Sequence, residues 1–177
     1  VRIATLESEL GDPAAAARLA ILEAERHATA GDSGTAAAIT EDFEGSPAHA
    51  SYLKAMAAEA AGDPVACMDH LQEFLAEYPE AESGVRMMAR AAGLAGHPEI
   101  AWRALKPLLA SDAQSSTWRE ASRLVSNRTD FNRLFKFWSA FKKTYKLSPY
   151  YVKVARHVAA ASIRAGNTGF GVRLLAE

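Results

Sequence analysis

Residues 62–79 read Gly62-Asp63-Pro64-Val65-Ala66-Cys67-Met68-Asp69-His70-Leu71-Gln72-Glu73-Phe74-Leu75-Ala76-Glu77-Tyr78-Pro79. Glycine ends a helix by taking the left-handed conformation, and aspartate caps the helix that follows. Proline at the first helical position forfeits no hydrogen bond. Cys67, Leu71 and Phe74 then recur at helical spacing and fall on one face, and Pro79 closes the segment. The stretch therefore predicts one helix ending, a tight turn, and a second helix over 64–77.

The same punctuation recurs along the chain. Gly31-Asp32-Ser33, Gly62-Asp63-Pro64, Gly96-His97-Pro98, Thr129-Asp130-Phe131 and Gly166-Asn167-Thr168 are separated by 31, 34, 33 and 37 residues. Between them the spacing of apolar residues predicts helices over about 13–30, 34–44, 48–61, 64–77, 82–95, 98–110, 115–127, 130–146, 149–165 and 168–176. Ser46-Pro47 and Ser148-Pro149 read as helix starts, and residues 1–10 as the end of an earlier helix. A pitch near 34 residues is that of stacked helix pairs.

The unit from Ala48 to Ala81 resembles the tetratricopeptide repeat. Cys67 stands at the small-residue position where two helices touch, Leu71 and Phe74 at the large apolar ones, and Pro79 at the closing proline. Ala101, Leu105 and Leu108 keep these offsets in the next unit, with Ala113 in place of the proline. Leu134, Trp138 and Phe141 follow in the one after. First helices depart from the family, with Ser51 and Ala55 at its usual Trp and Gly places. A more general helix-hairpin solenoid accounts for the same pattern. The resemblance covers roughly residues 17–177. It implies an all-α fold: a right-handed superhelix, or solenoid, of stacked antiparallel helix pairs in a single domain over 1–177.

Composition agrees with close-packed helices. Of the 177 residues 49% are hydrophobic but only 8% aromatic, and alanine, the best helix former, supplies much of the first figure. Its frequency fits a GC-rich bacterial genome. The start at Val1 without Met fits a fragment of a longer protein. Cys67 is the one cysteine, which excludes an intrachain disulfide and is compatible with cytoplasm or periplasm. Net charge is −1, yet residues 1–118 hold 8 Lys+Arg against 18 Asp+Glu (−10) and residues 119–177 hold 12 against 3 (+9). That division bears on partners and permits head-to-tail self-association.

No motif for catalysis stands out, and the expectation is a protein that is not an enzyme and carries no cofactor or metal. Cys67 with His70, and Glu23 with His27, sit one helical turn apart, but two ligands do not make a zinc site. Ser51-Tyr-Leu-Lys54 and Ser139-Ala-Phe-Lys142 match a serine–lysine pattern inside amphipathic helices, where they read as surface. The glycines of 166–171 follow a helix, lack the lysine of a phosphate loop, and read as a turn. In Phe131–Lys146 the residues Phe131, Leu134, Phe135, Trp138, Phe141 and Tyr145 form one stripe with basic residues on the remaining faces. A core stripe with a solvated basic back is the reading adopted; Phe137, off the stripe, leaves nucleic acid or an anionic membrane face as the alternative.

The resemblance also implies a ligand face. In tetratricopeptide domains the second, fifth, ninth, twelfth and thirteenth positions of each first helix tend to line a concave groove. Setting the turns in register puts Ile21, Tyr52, Arg86, Arg119 and Arg156 at the fifth position and Glu25, Met56, Arg90, Arg123 and Ala160 at the ninth. Lys153 and Arg164 take the second and thirteenth in the last full unit. Arginine's planar fork binds carboxylate or phosphate through two hydrogen bonds. The ligand-binding groove is thus expected at Tyr52, Arg86, Arg90, Arg119, Arg123, Lys153 and Arg156. Its expected occupant is an acidic peptide or protein segment, or an anionic polysaccharide; nucleic acid and membrane are not expected. The competing reading pairs these arginines with neighbouring glutamates: Arg86 with Glu82, Arg119 and Arg123 with Glu120. A second function class is an accessory, non-catalytic domain of a larger enzyme or secretion assembly.

Overall fold

The computed structural model describes residues 13–41, 46–110 and 115–176, and these form ten α-helices and no strand. They are α1 (Pro13–Thr29), α2 (Ser33–Glu41), α3 (Pro47–Ala61), α4 (Pro64–Glu77), α5 (Glu82–Leu94), α6 (Pro98–Ala110), α7 (Ser115–Arg123), α8 (Arg128–Thr144), α9 (Tyr151–Arg164) and α10 (Thr168–Ala176). The all-helical class expected from the sequence is observed. The reading of residues 1–10 as a helix end, the extension of the second helix to 44, and Ala113 lie outside the described residues. The chain divides into two compact units, 1–96 and 97–177.

In the first unit the turn at 62–64 is built as its residues dictate. Gly62 is left-handed at φ 74°, and the Asp63 amide reaches back to the Ala58 carbonyl at 2.9 Å. The Asp63 carboxylate then accepts the Val65 and Ala66 amides at 3.2 and 3.0 Å, opening α4 at Pro64. Gly31 (φ 77°) and Asp32, which accepts the Thr35 amide at 3.1 Å, repeat the device between α1 and α2. These caps satisfy amides that have no partner inside the helix. Cys67, Leu71 and Phe74 are buried on the face of α4 that meets its neighbours. Helix α4 packs on both α3 and α5, and α1 packs on α3, so first helices touch first helices. The approach of α5 to α4 depends on Gly84, where a Cβ would lie 2.7 Å from the Phe74 ring.

The second unit centres on an aromatic cluster. Trp118 of α7 meets Trp138 edge-on at 6.3 Å and Phe141 at 5.2 Å, both on α8, and Tyr151 of α9 covers Trp138 at 5.4 Å. Aromatic rings pack edge-on or offset because the rim is positive and the face negative. Phe131, Leu134, Trp138 and Phe141 are buried, so this stripe of α8 is core. Phe135, 38% exposed, is half-covered by Phe131 and Phe170. Helix α7 packs on α9, and Glu99 of α6 holds Arg133 of α8 at 2.7 Å.

Two boundaries differ from expectation. Thr129-Asp130-Phe131 is not a turn but the first turn of α8, and the reversal falls at 124–127. Asn127 Oδ1 accepts the Asp130 amide at 3.0 Å, and the Asp130 carboxylate accepts from Ser126 N at 3.2 Å and Ser126 Oγ at 2.9 Å. Such reciprocal capping fixes a helix start more firmly than one aspartate. Helix α7 accordingly stops at Arg123 instead of 127. Helix α9 begins at Tyr151 instead of 149, because Ser148 accepts the Tyr150 and Tyr151 amides and holds the intervening residues as a turn.

Candidate ligand faces on the first helices

In the first unit α1, α3 and α5 enclose a pocket of about 510 Å³. Glu25 comes from α1, Tyr52, Met56 and Glu59 from α3, and Arg86, Met87 and Arg90 from α5. Apart from Met87 these are positions that the repeat register assigns to a ligand face. A helix presents residues three and four apart on one side, so 52, 56 and 59, like 86 and 90, converge once the helices pack in parallel register.

The two arginines here are held by carboxylates. Arg90 grips Glu59 with Nε and Nη2 at 2.8 and 3.1 Å, joining α5 to α3. Arg86 pairs with Glu82 one turn before it, the partner foreseen by the competing reading. Its Nε is buried and has no acceptor among the described residues. Tyr52 is 5% exposed and packs its ring at a tilt on Phe74, with centroids 4.7 Å apart. Burial pushes its hydroxyl pKa up, with the carboxylate of Glu25 adding to the effect. Tyr52 is thus as much a core residue as a wall of the pocket.

The second unit is different. Arg119 and Arg123 lie one turn apart on α7 with their side chains exposed, while Trp118 and Ala121 face the core. Packing α7 on α9 brings both guanidiniums toward His157. Burial and the charges of Arg119 and Arg123 together hold its imidazole below the usual histidine pKa. Lys153 and Arg156, one turn and one residue before His157, are exposed on the same helix. Glu120 is buried at 8% exposure. Among the described residues no carboxylate stands within ion-pair distance of Arg119, Arg123, Lys153 or Arg156. Arg164, at the end of α9, is anchored to the Ser122 carbonyl of α7.

The structure therefore gathers Tyr52, Arg86 and Arg90 in the first unit and brings Arg119 and Arg123 to His157 in the second, while Lys153 and Arg156 are exposed on α9. Sequence reasoning missed His157, although it stands four residues after Lys153 and so on the same side of its helix. It also missed that Glu25 and Glu59 share the wall with Arg86 and Arg90. Their places in the register, ninth for Glu25 and twelfth for Glu59, are the signal that names both.

Cys67 is fully buried and its thiol is pushed up to about 12, chiefly by desolvation, so at neutral pH it is a packing residue and not a nucleophile. Among the described residues no three metal-binding side chains converge, and no helix is long and apolar enough to cross a membrane. No protein-family model, curated protein or solved structure matches the chain.

Proposed function

We propose that this protein is a non-catalytic interaction module of tetratricopeptide type, whose first helices grip an acidic peptide or protein segment. One observation carries the reading: in the second unit, packing of α7 on α9 brings Arg119 and Arg123 to His157, and among the described residues no carboxylate forms an ion pair with either arginine. Holding like charges side by side costs free energy that an anionic ligand recovers. Guanidiniums accept carboxylates through two parallel hydrogen bonds, and Lys153 and Arg156 add a local positive potential that draws such a ligand in. The right-handed superhelical stacking of the helix pairs belongs to the same proposal.

The test is binding of a fluorescent glutamate-rich peptide, with its alanine counterpart as control. The double variant Arg119→Glu, Arg123→Glu alters two exposed side chains. It is expected to retain its helical circular dichroism and to lose at least about tenfold in affinity, the equivalent of ~1.4 kcal/mol. Equal affinity of wild type and variant overturns the proposal.

A further inference from the structure

The first unit carries a pocket of the opposite character. Residues 1–96 contain 6 Lys+Arg and 16 Asp+Glu, a net charge of −10. Within the pocket Arg90 is matched by Glu59 and Arg86 by Glu82. Glu25 is left over on the wall, exposed and included in no ion pair of the described residues. The remaining lining is mixed: Thr29 and Ser83 are polar, Met56 and Met87 are apolar at 3% and 5% exposed, and the Tyr52 ring packs on Phe74.

We propose that this pocket binds a basic side chain, an ammonium or guanidinium group at the end of an apolar stem. The cationic head sits on the Glu25 carboxylate and the stem lies on Met56 and Met87. Each part answers a separate feature. A cation is attracted by the unmatched carboxylate and by the excess negative charge of the unit. Methionine side chains adapt their shape to a flexible methylene chain, and lysine and arginine bury their stems while the head stays polar. A volume of about 510 Å³ is in the range of sites for small molecules or single side chains. The chemistry is common to a free basic amino acid and to a lysine or arginine of a polypeptide.

The experiment is a titration of the intact chain followed by NMR at the methyl groups of Met56 and Met87. The probes are Nα-acetyl-lysine methylamide, its norleucine analogue, which keeps the stem without the charge, and free L-lysine. The lysine diamide is expected to shift both methyls and to bind about tenfold more tightly than the norleucine diamide. Glu25→Gln, at an exposed position, is expected to leave the melting temperature unchanged and to reduce the lysine diamide to the norleucine level. Binding of the diamide without binding of L-lysine identifies a polypeptide side chain as the occupant; binding of both identifies the free amino acid as well. Equal affinity of the two diamides, indifference to Glu25→Gln, or unmoved Met56 and Met87 methyls overturns the proposal. The double variant Arg119→Glu, Arg123→Glu is expected to bind the diamide as wild type does, so failure of the anion-binding reading leaves this result intact.

Discussion

His157 shows how a neighbourhood sets the behaviour of one side chain. Partial burial disfavours the charged imidazolium, and Arg119 and Arg123 repel it, with Lys153 and Arg156 beside it on α9. Above its ordinary value of 6.5 the imidazole is neutral in the folded and unfolded chain alike and contributes nothing to pH dependence. As pH falls through 6.5 the unfolded chain takes up the proton first, so stability declines until the pH is below the depressed folded value. His157→Gln is therefore expected to lose less thermal stability than wild type between pH 7.5 and 5, measured by parallel melting curves. An anion between the arginines relieves the repulsion, so bound glutamate-rich peptide is expected to raise the imidazole pKa in an NMR titration. An unchanged or lower pKa in the complex contradicts a seat for the anion at this histidine. That Arg119 and Arg123 share one side of their helix was legible in the sequence from their spacing alone. His157 was not, because its position in the register is no ligand position and only the packing of α7 on α9 brings it in.

Among the helices, the ones most legible in the sequence were those bracketed by strong punctuation. Helix α4 has the bounds that Asp63-Pro64 and Tyr78-Pro79 impose, and α6 and α10 likewise begin where Pro98 and Thr168 follow a left-handed glycine. Helix α8 was misplaced by two residues because the Asn127 cap and its Asp130 partner form a longer motif than the tripeptide sought. Four residues of its stripe, Phe131, Leu134, Trp138 and Phe141, are core as read, whereas Phe135 is exposed and Tyr145 is half-buried. The glycines of 166–171 separate into distinct jobs. Gly166 takes φ 80° in the turn, whereas Gly171 permits α10 to touch α9: a Cβ there would lie 2.7 Å from Ile163 Cγ1 and 2.9 Å from the Ala159 carbonyl oxygen. Backbone cannot yield as a side chain does, so Gly171→Ala is expected to destabilise the second unit by about 1–3 kcal/mol. Gly169 meets nothing within 4 Å, and Gly169→Ala is expected to be stabilising by up to ~1 kcal/mol through helix propensity. Thermal or urea denaturation of the two variants decides it; equal effects contradict the close approach. No sequence pattern distinguished these two glycines, since the difference lies in what stands opposite.

For the molecule as a whole, the division of charge seen in the sequence coincides with the division into compact units. Residues 97–118 hold two basic and two acidic residues, so moving the boundary from 118 to 96 leaves the sums at −10 and +9. Charges of this size act over a Debye length of about 30 Å at 0.01 M salt and about 8 Å at 0.15 M. The average mass by sedimentation equilibrium is expected to rise with protein concentration at about 0.01 M salt, as one copy's acidic unit meets another's basic unit, and to return to the monomer at 0.15 M and above. A monomer under both conditions contradicts the expectation. The same division explains why seven residues chosen by one register separate chemically. Arg86 and Arg90 arise in an acidic unit and are met by carboxylates, while Arg119, Arg123, Lys153 and Arg156 arise in a basic one.

The left-handed glycines at 31, 62, 96 and 166 share one further property: they bring start and stop signals into a segment of a few residues. The 34 positions from Gly62 to Ala95 form a cassette that carries its own instructions for both of its helices. Duplicating or deleting such a cassette in the gene leaves neighbouring segments with intact termini, so the number of helix pairs can change by whole steps without any helix having to be rewritten.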